Sequence, residues 1–266
     1  MKVLGDGYLN YVDHLGSDES IIEAARMSTS KGFQGWGPKI CIACNGEGGI
    51  RFIPNGRESD VDGLGCTWCH ATGKVEGDEK LLRYLYTHKH LTPFEMCDLV
   101  VEVKAPIFVF REWHRHRTQS FNELSGRYTT LPDEYYIPSV ERIMAGAQSS
   151  TNKQGSADGI DEVKAVKLRA EIASAVWGAR QSYDFLLAQG VSRELARVVV
   201  PVNQYSTMRA KANLRNWLHF LELRMDPAAQ FEIRQYANAV AELIKQHWPR
   251  TYALFEEGVM PHTLGP

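Results

Sequence analysis

Residues Arg115–Tyr128 read RHRTQSFNELSGRY. Arg115, His116 and Arg117 stand together, and Ser120, Asn122, Glu123, Ser125 and Arg127 follow closely. Nothing in folding asks for this, because a solvated helix face spreads its charges and pairs them with acids at helical spacing. Here the local balance is basic, small polar residues are interleaved, and Gly126 loosens the backbone late in the run. That composition suits an anionic, hydrogen-bonding ligand, because planar guanidinium forks take phosphate or carboxylate in bidentate fashion. The bland alternative is a basic surface turn.

The run resembles the signature of the flavin-dependent thymidylate synthases: Arg115-His116-Arg117, residues 118 to 124, then Ser125, with Asn122, Glu123, Arg127 and Tyr128 fitting the tail. The likeness covers roughly residues 1 to 30 and 78 to 250. It implies an α+β fold in one domain over residues 1–266: a twisted mixed or antiparallel sheet flanked by long helices. It also implies an enzyme that reductively methylates dUMP to dTMP. The carbon would come from 5,10-methylenetetrahydrofolate and the hydride from FAD reduced by NADPH. The active sites would form between subunits of a homotetramer.

Carried over residue by residue, the resemblance assigns dUMP to Glu112, Arg115, Glu123, Ser125, Gly126, Arg127, Arg197 and Arg224. It assigns FAD to His90, Thr92 and Glu95 in HLTPFE, and to Arg115, His116, Arg117, Glu123, Asn213, Arg215 and His219. Arg224, in LELR, matches the arginine set against the uracil, where a guanidinium would favour negative charge building on the ring; it is the expected catalytic residue. No Ser-His-Asp set or reactive cysteine is evident in the motif. Ser125 has no base beside it in sequence, so it reads as a ligand. The chain departs from the family at Glu112 (usually Gln), Met96 (His), Ala228 (often His) and His114 (an aromatic). The governing expectation is that guanidinium groups from three distant segments, Arg115, Arg197 and Arg224, meet around flavin and nucleotide.

Residues 31 to 77 break this character, being rich in glycine and carrying CIAC (Cys41, Cys44) and CTWC (Cys66, Cys69). Two C-x-x-C pairs can each present two thiolates from a tight turn to one tetrahedral Zn²⁺. The CNGEG run resembles the repeats of the chaperone zinc-finger module, with a less complete glycine pattern after the second pair. Residues 38–76 therefore read as an inserted zinc-knuckle-like segment whose folding free energy would come mostly from the metal. Disulfides and unliganded thiols are the alternatives, the first disfavoured by a cytoplasmic address. His70 could replace a cysteine as ligand, and Cys97 reads as a small buried apolar residue.

The 266 residues are 44% hydrophobic and 23% charged with net charge -2, which fits a soluble globular chain and argues against a general nucleic-acid binder. No long apolar run predicts a membrane span, and MKVLGDGYLNYVDHLG lacks a signal peptide's apolar core, so a cytoplasmic location is expected.

The periodicity predicts a strand within residues 1 to 16 and a helix capped by Ser17 or Asp18. A further helix is expected from Asp78 to Lys89, a strand over 98 to 105, and a helix opened by Pro106 that could persist into the RHR run. There, Arg115 and Arg117 would sit about 160° apart, too far for one phosphate. Thr92 could cap a helix as well as face the flavin, and Arg197 could pair with Glu194. A long helix, about 161 to 189, should pack Val166, Ile172, Val176, Tyr183 and Leu187 in the core. Asn213 should cap another, and Asp226-Pro227 should open the last, ending near His247. Two other readings stand: a nucleic-acid-binding zinc protein, and a dUMP-binding flavoprotein without synthase activity.

Overall fold

Strict alternation in DLVVEVKAP builds the strand around which the main sheet is laid: Leu99, Val101, Val103 and Ala105 are fully buried and the residues between them are not. The computed structural model describes residues 1–48, 66, 69, 71–75, 77–148, 156–157 and 159–259. In chain order the elements are β1 (Tyr8–Leu15), α1 (Asp18–Arg26), β2 (Lys39–Ile40), β3 (Lys74–Val75), α2 (Glu79–Thr87), β4 (Asp98–Pro106), α3 (Ile107–Trp113) and β5 (Ser120–Glu123). Then follow α4 (Val140–Met144), β6 (Ala147–Gln148), β7 (Ser156–Ala157), α5 (Glu162–Ala188), α6 (Arg193–Ala196), β8 (Tyr205–Asn213), α7 (Leu214–Arg224), α8 (Phe231–His247) and α9 (Pro249–Val259).

The chain divides into two compact units, Met1–His14 with Asp98–Ile244, and Leu15–Cys97 with Lys245–Pro266. The first unit holds a four-stranded sheet in the order β1-β4-β8-β5, with β8 antiparallel to both β4 and β5. Its core is aromatic: Trp113 lies 4.7 Å from Phe220 and edge-on to Trp217 at 6.1 Å between ring centres. Trp217 donates its indole N–H to the Leu99 carbonyl at 3.0 Å, tying α7 to β4. The expected α+β class, with an antiparallel sheet and long helices, is what the molecule has.

The second unit packs α1, α2 and α9 with the 3₁₀ turn Thr92–Met96 and the cysteine segment. Ser17 caps α1 in a capping box with Ser20. Buried Asp18 accepts from the Thr251 hydroxyl at 2.6 Å and from two backbone amides at the start of α9.

Several elements differ from expectation. Asn213 caps α7 as read, but Asp226 and Pro227 form a turn and α8 begins only at Phe231. Helix α8 ends at His247 as expected, but it is not the last: Pro249 begins α9, its fixed φ being suited to a first helical position. Thr92 makes no capping hydrogen bond; the turn it opens has Leu91 at the cap position. Helix α5 is present, yet it is not a core helix. Tyr183 is buried, Ile172, Val176 and Leu187 are half-buried, and Val166, Val163, Trp177 and Phe185 are exposed by more than half. Among the described residues no helix is long and apolar enough to cross a membrane.

Candidate functional site

Helix α3 stops at Trp113, so the RHR run leaves the helix and the angular argument against a shared ligand does not apply. Residues 114–119 instead form a succession of turns: Arg115 N–H donates to the Glu112 carbonyl at 3.2 Å and His116 N–H to that of Trp113 at 3.0 Å. Gln119 accepts from the Trp113 indole at 2.9 Å and ties the turns down. Strand β5 follows, pairing Ser120–Glu123 with Met208–Lys211 of β8. Arg115 and Arg117 end up exposed, whereas His116 between them is buried.

Two groups of the expected residues result. The first lines a cleft of about 640 Å³ with Arg111, Glu123, Ser125, Gly126, Glu194 and Arg197 on its walls. Gly126 packs closely there: a Cβ on it would stand 3.4 Å from Arg197 Cδ and 3.3 Å from a Leu131 methyl. Glu194 does not pair with Arg197; its carboxylate accepts from Arg127 Nε at 2.7 Å on the exposed rim. Among the described residues the Arg197 guanidinium has no hydrogen-bond or ion-pair partner, so its donors are free for a ligand. Arg111 and His114, also on this wall, were not singled out as ligands; Arg111 sits one turn before Arg115, a spacing already visible in the sequence.

The second group gathers at the end of α7. Arg224 donates from Nε to His116 Nε2 at 2.9 Å, from Nη2 to the Glu112 carbonyl at 3.2 Å, and from Nη1 to the Glu112 carboxylate at 3.4 Å. Burial, then the charge on Arg224, then His219, push the His116 pKa down to about 4. The imidazole is therefore neutral near pH 7 and can accept from the guanidinium. Glu112 is pushed up by burial, with Arg224 opposing. Three of the five guanidinium N–H groups are spent in fixing the side chain; two remain for a ligand. His219 is exposed, 6.3 Å from the His116 ring, while Asn213 and Arg215 lie at the other end of α7.

Among the described residues, neither Arg115 nor Arg224 lines the Arg197 cleft. His90, Thr92 and Glu95 belong to the second unit, where His90 stands edge-on to Tyr84 at 5.5 Å.

The four cysteines of the insertion converge, all four sulfurs lying within 4.8 Å of one another. Cys97 is fully buried, as expected of a small apolar residue, and its thiol faces the Ser17 carbonyl at 3.7 Å. His70 lies outside the described residues.

Known proteins share both sequence and fold. The chain is 38% identical over 260 residues to a flavin-dependent thymidylate synthase of Thermus thermophilus, covering 98% of this chain and 79% of the relative. It is 37% identical to one of Gluconobacter oxydans, covering 96% and 72%. Crystal structures of a UMP/dUMP methylase, PolB from Streptomyces cacaoi, bound with 5-Br UMP and with 5-Br dUMP, superpose with TM-scores of 0.72 and 0.70. They are 27% and 28% identical and cover 96% and 97% of both chains. The arginine-rich turns and the strands β4, β5 and β8 beside them lie inside residues 10–250, which match the family described as Thymidylate synthase complementing protein, and the chain belongs to that family.

Proposed function

We propose that this chain is a flavin-dependent thymidylate synthase, forming dTMP from dUMP with methylenetetrahydrofolate as carbon donor and NADPH as reductant of FAD. The observation that carries the reading is the cleft in which Glu123, Ser125, Gly126 and a partnerless Arg197 face one space. A serine hydroxyl and a free guanidinium facing one space are what a nucleotide phosphate needs. Bound FAD would supply the hydride.

The protein's part is to bind, orient and polarise. Arg197, with Ser125 and the backbone of residues 123 to 127, holds the phosphate, joined by Arg115 and Arg127. Arg224 is held rigid by neutral His116 and by Glu112, and its two remaining N–H groups meet the uracil carbonyls, favouring negative charge on the ring. Arg117, His90, Thr92, Glu95, Asn213, Arg215 and His219 serve the flavin.

The site is shared between chains of a homotetramer. Two observations support this: Arg224 lies outside the Arg197 cleft of its own chain, and α5 exposes Val163, Val166, Trp177 and Phe185. The four-cysteine segment takes no part in the chemistry.

The test is the visible spectrum of the purified protein with and without dUMP, followed by dTMP assay with methylenetetrahydrofolate and NADPH. Flavin bands perturbed by dUMP, together with dTMP formation, are expected. UMP runs in parallel, since the PolB neighbour is described as a UMP/dUMP methylase. A colourless protein that forms no product would overturn the reading. A yellow protein that binds dUMP without forming dTMP would replace it with a non-synthase flavoprotein.

A further inference from the structure

The cysteine segment is built as two copies of one unit. Cys41-x-x-Cys44 with Gly48 and Cys66-x-x-Cys69 with Gly73 share the spacing C-x-x-C-x-x-x-G. Their backbones repeat the same hydrogen bonds. Gly46 N–H donates to the Cys41 carbonyl at 3.1 Å, and Ala71 N–H to that of Cys66 at 3.0 Å. Glu47 N–H reaches the Cys44 carbonyl and Thr72 N–H that of Cys69, both at 3.0 Å. The copies then bind each other reciprocally: Cys41 N–H donates to Gly73 at 2.9 Å and Cys66 N–H to Gly48 at 2.8 Å.

The two last glycines are required by this embrace. Gly48 (φ +73°) and Gly73 (φ +70°) occupy the left-handed region, and a Cβ would fall 2.2 Å from the Ala71 carbonyl oxygen in one case and 2.1 Å from that of Gly46 in the other. Ala71 takes φ +65° where the first copy has Gly46 at +85°, which is where the second glycine pattern was read as incomplete.

What the pseudo-dyad brings together is four buried sulfurs. Cys41 Sγ lies 3.7 Å from Cys66 Sγ, and Cys44 Sγ lies 3.6 Å from Cys69 Sγ. A disulfide would need about 2.05 Å. A regular tetrahedron of thiolates around zinc, with Zn–S of about 2.3 Å, has edges of about 3.8 Å. Gly48 N–H also points at Cys44 Sγ at 3.3 Å, the kind of outer-shell donor that steadies a metal-bound thiolate.

We infer that Cys41, Cys44, Cys66 and Cys69 bind one Zn²⁺ as a closed tetrathiolate site whose role is structural. Four thiols give up four protons to the solvent as the ion binds, and with four sulfur ligands no coordination position is left for a substrate. The metal orders the knuckles, because among the described residues the buried cluster there is the four cysteines themselves, with Val75 partly buried against them.

The stem beneath them has its own anchors. Asp78 N–H donates to the Gly35 carbonyl at 3.0 Å, and the fully buried Asp78 side chain pairs with Arg26. Glu79 accepts from Gly37 N–H at 2.7 Å and from Arg250 at 2.9 Å. Trp36 donates to Glu19 at 2.6 Å under the Arg250 guanidinium. Loss of the metal should therefore loosen the knuckles and leave the flavin-bearing remainder folded.

The experiment uses the full chain as purified. Elemental analysis after exhaustive dialysis should give one zinc per chain, and cobalt exchanged into the protein should show the sulfur-to-metal charge transfer and d–d pattern of a tetrahedral tetrathiolate. Cys66→Ser with Cys69→Ser should lose the metal and become cleavable by protease within residues 39–48, while the flavin spectrum stays that of the parent. Four free thiols without metal, two disulfides by mass, iron in place of zinc, or a metal-free double variant still protected in this segment would each overturn the inference. None of these outcomes bears on dTMP formation, so this assignment and the enzymatic reading fail separately.

Discussion

His116 offers a direct measure of whether the Arg224 support is built as described. Its imidazole is held at about 4, against an ordinary value of 6.5. Because the folded value is the lower one, the unfolded chain takes up the proton first as pH falls. Stability is therefore intact above about pH 6.5 and lost progressively down to about pH 4. Of that gap, about one and a half units lie above pH 5, and each is worth about 1.4 kcal/mol. Between pH 7 and pH 5, His116 alone should remove about 2 kcal/mol.

The chain holds eight further histidines, so the measurement must be a difference. In His116→Gln the amide oxygen still accepts from Arg224 Nε but carries no proton to titrate. Urea unfolding of both proteins at about pH 7 and pH 5, at one protein concentration, should show the parent losing about 2 kcal/mol more than the variant. Parallel losses in parent and His116→Gln would refute a buried neutral acceptor, as would an NMR titration placing His116 above pH 6.

Arg197→Ala should raise the KM for dUMP by about 10- to 100-fold, the worth of charge-assisted hydrogen bonds to phosphate, and an unchanged KM would remove it from the phosphate site. Arg224→Ala should abolish dTMP formation while FAD stays bound, read by product assay and the flavin spectrum of the same sample. Glu112→Gln keeps an acceptor for Arg224 and should leave turnover unchanged or raised; a loss would give the carboxylate a job of its own. Asp78→Ala strands Arg26 without its buried partner and should cost about 3–5 kcal/mol, measured as a lowered unfolding midpoint.

The sequence made some of this plain and hid the rest, for physical reasons. Strand β4 was legible because Leu99, Val101, Val103 and Ala105 face one way at a period of two. Strand β5 was not, because SFNE is four residues whose pairing comes from β8, a long way off in the chain. Helix α5 was legible as a helix, but its apolar residues go round the axis without one stripe, and periodicity could not say which of them a single chain leaves uncovered. Local pattern found the end of α8 at His247 but misplaced its start, because Pro227 sits in a turn, and it did not foresee that Pro249 starts a further helix, since a proline marks a boundary without saying on which side the helix lies.

The candidate site turns on where α3 stops. Had the helix run on, Arg115, His116 and Arg117 would fan out over three faces. Stopping at Trp113 lets the following turns bury His116 beside Arg224 while both flanking arginines stay in solvent. The same short helix carries Arg111 into the Arg197 cleft and Glu112 onto Arg224. Adjacent residues on a helix point about 100° apart, so α3 turns Arg111 toward one arginine group and Glu112 toward the other. On the proposed reading, the Arg224 that meets a nucleotide held by Arg197 comes from a second chain. Mixing inactive Arg197→Ala and Arg224→Ala chains decides the point: a shared site restores a quarter of wild-type centres at random pairing, whereas sites built within one chain restore none.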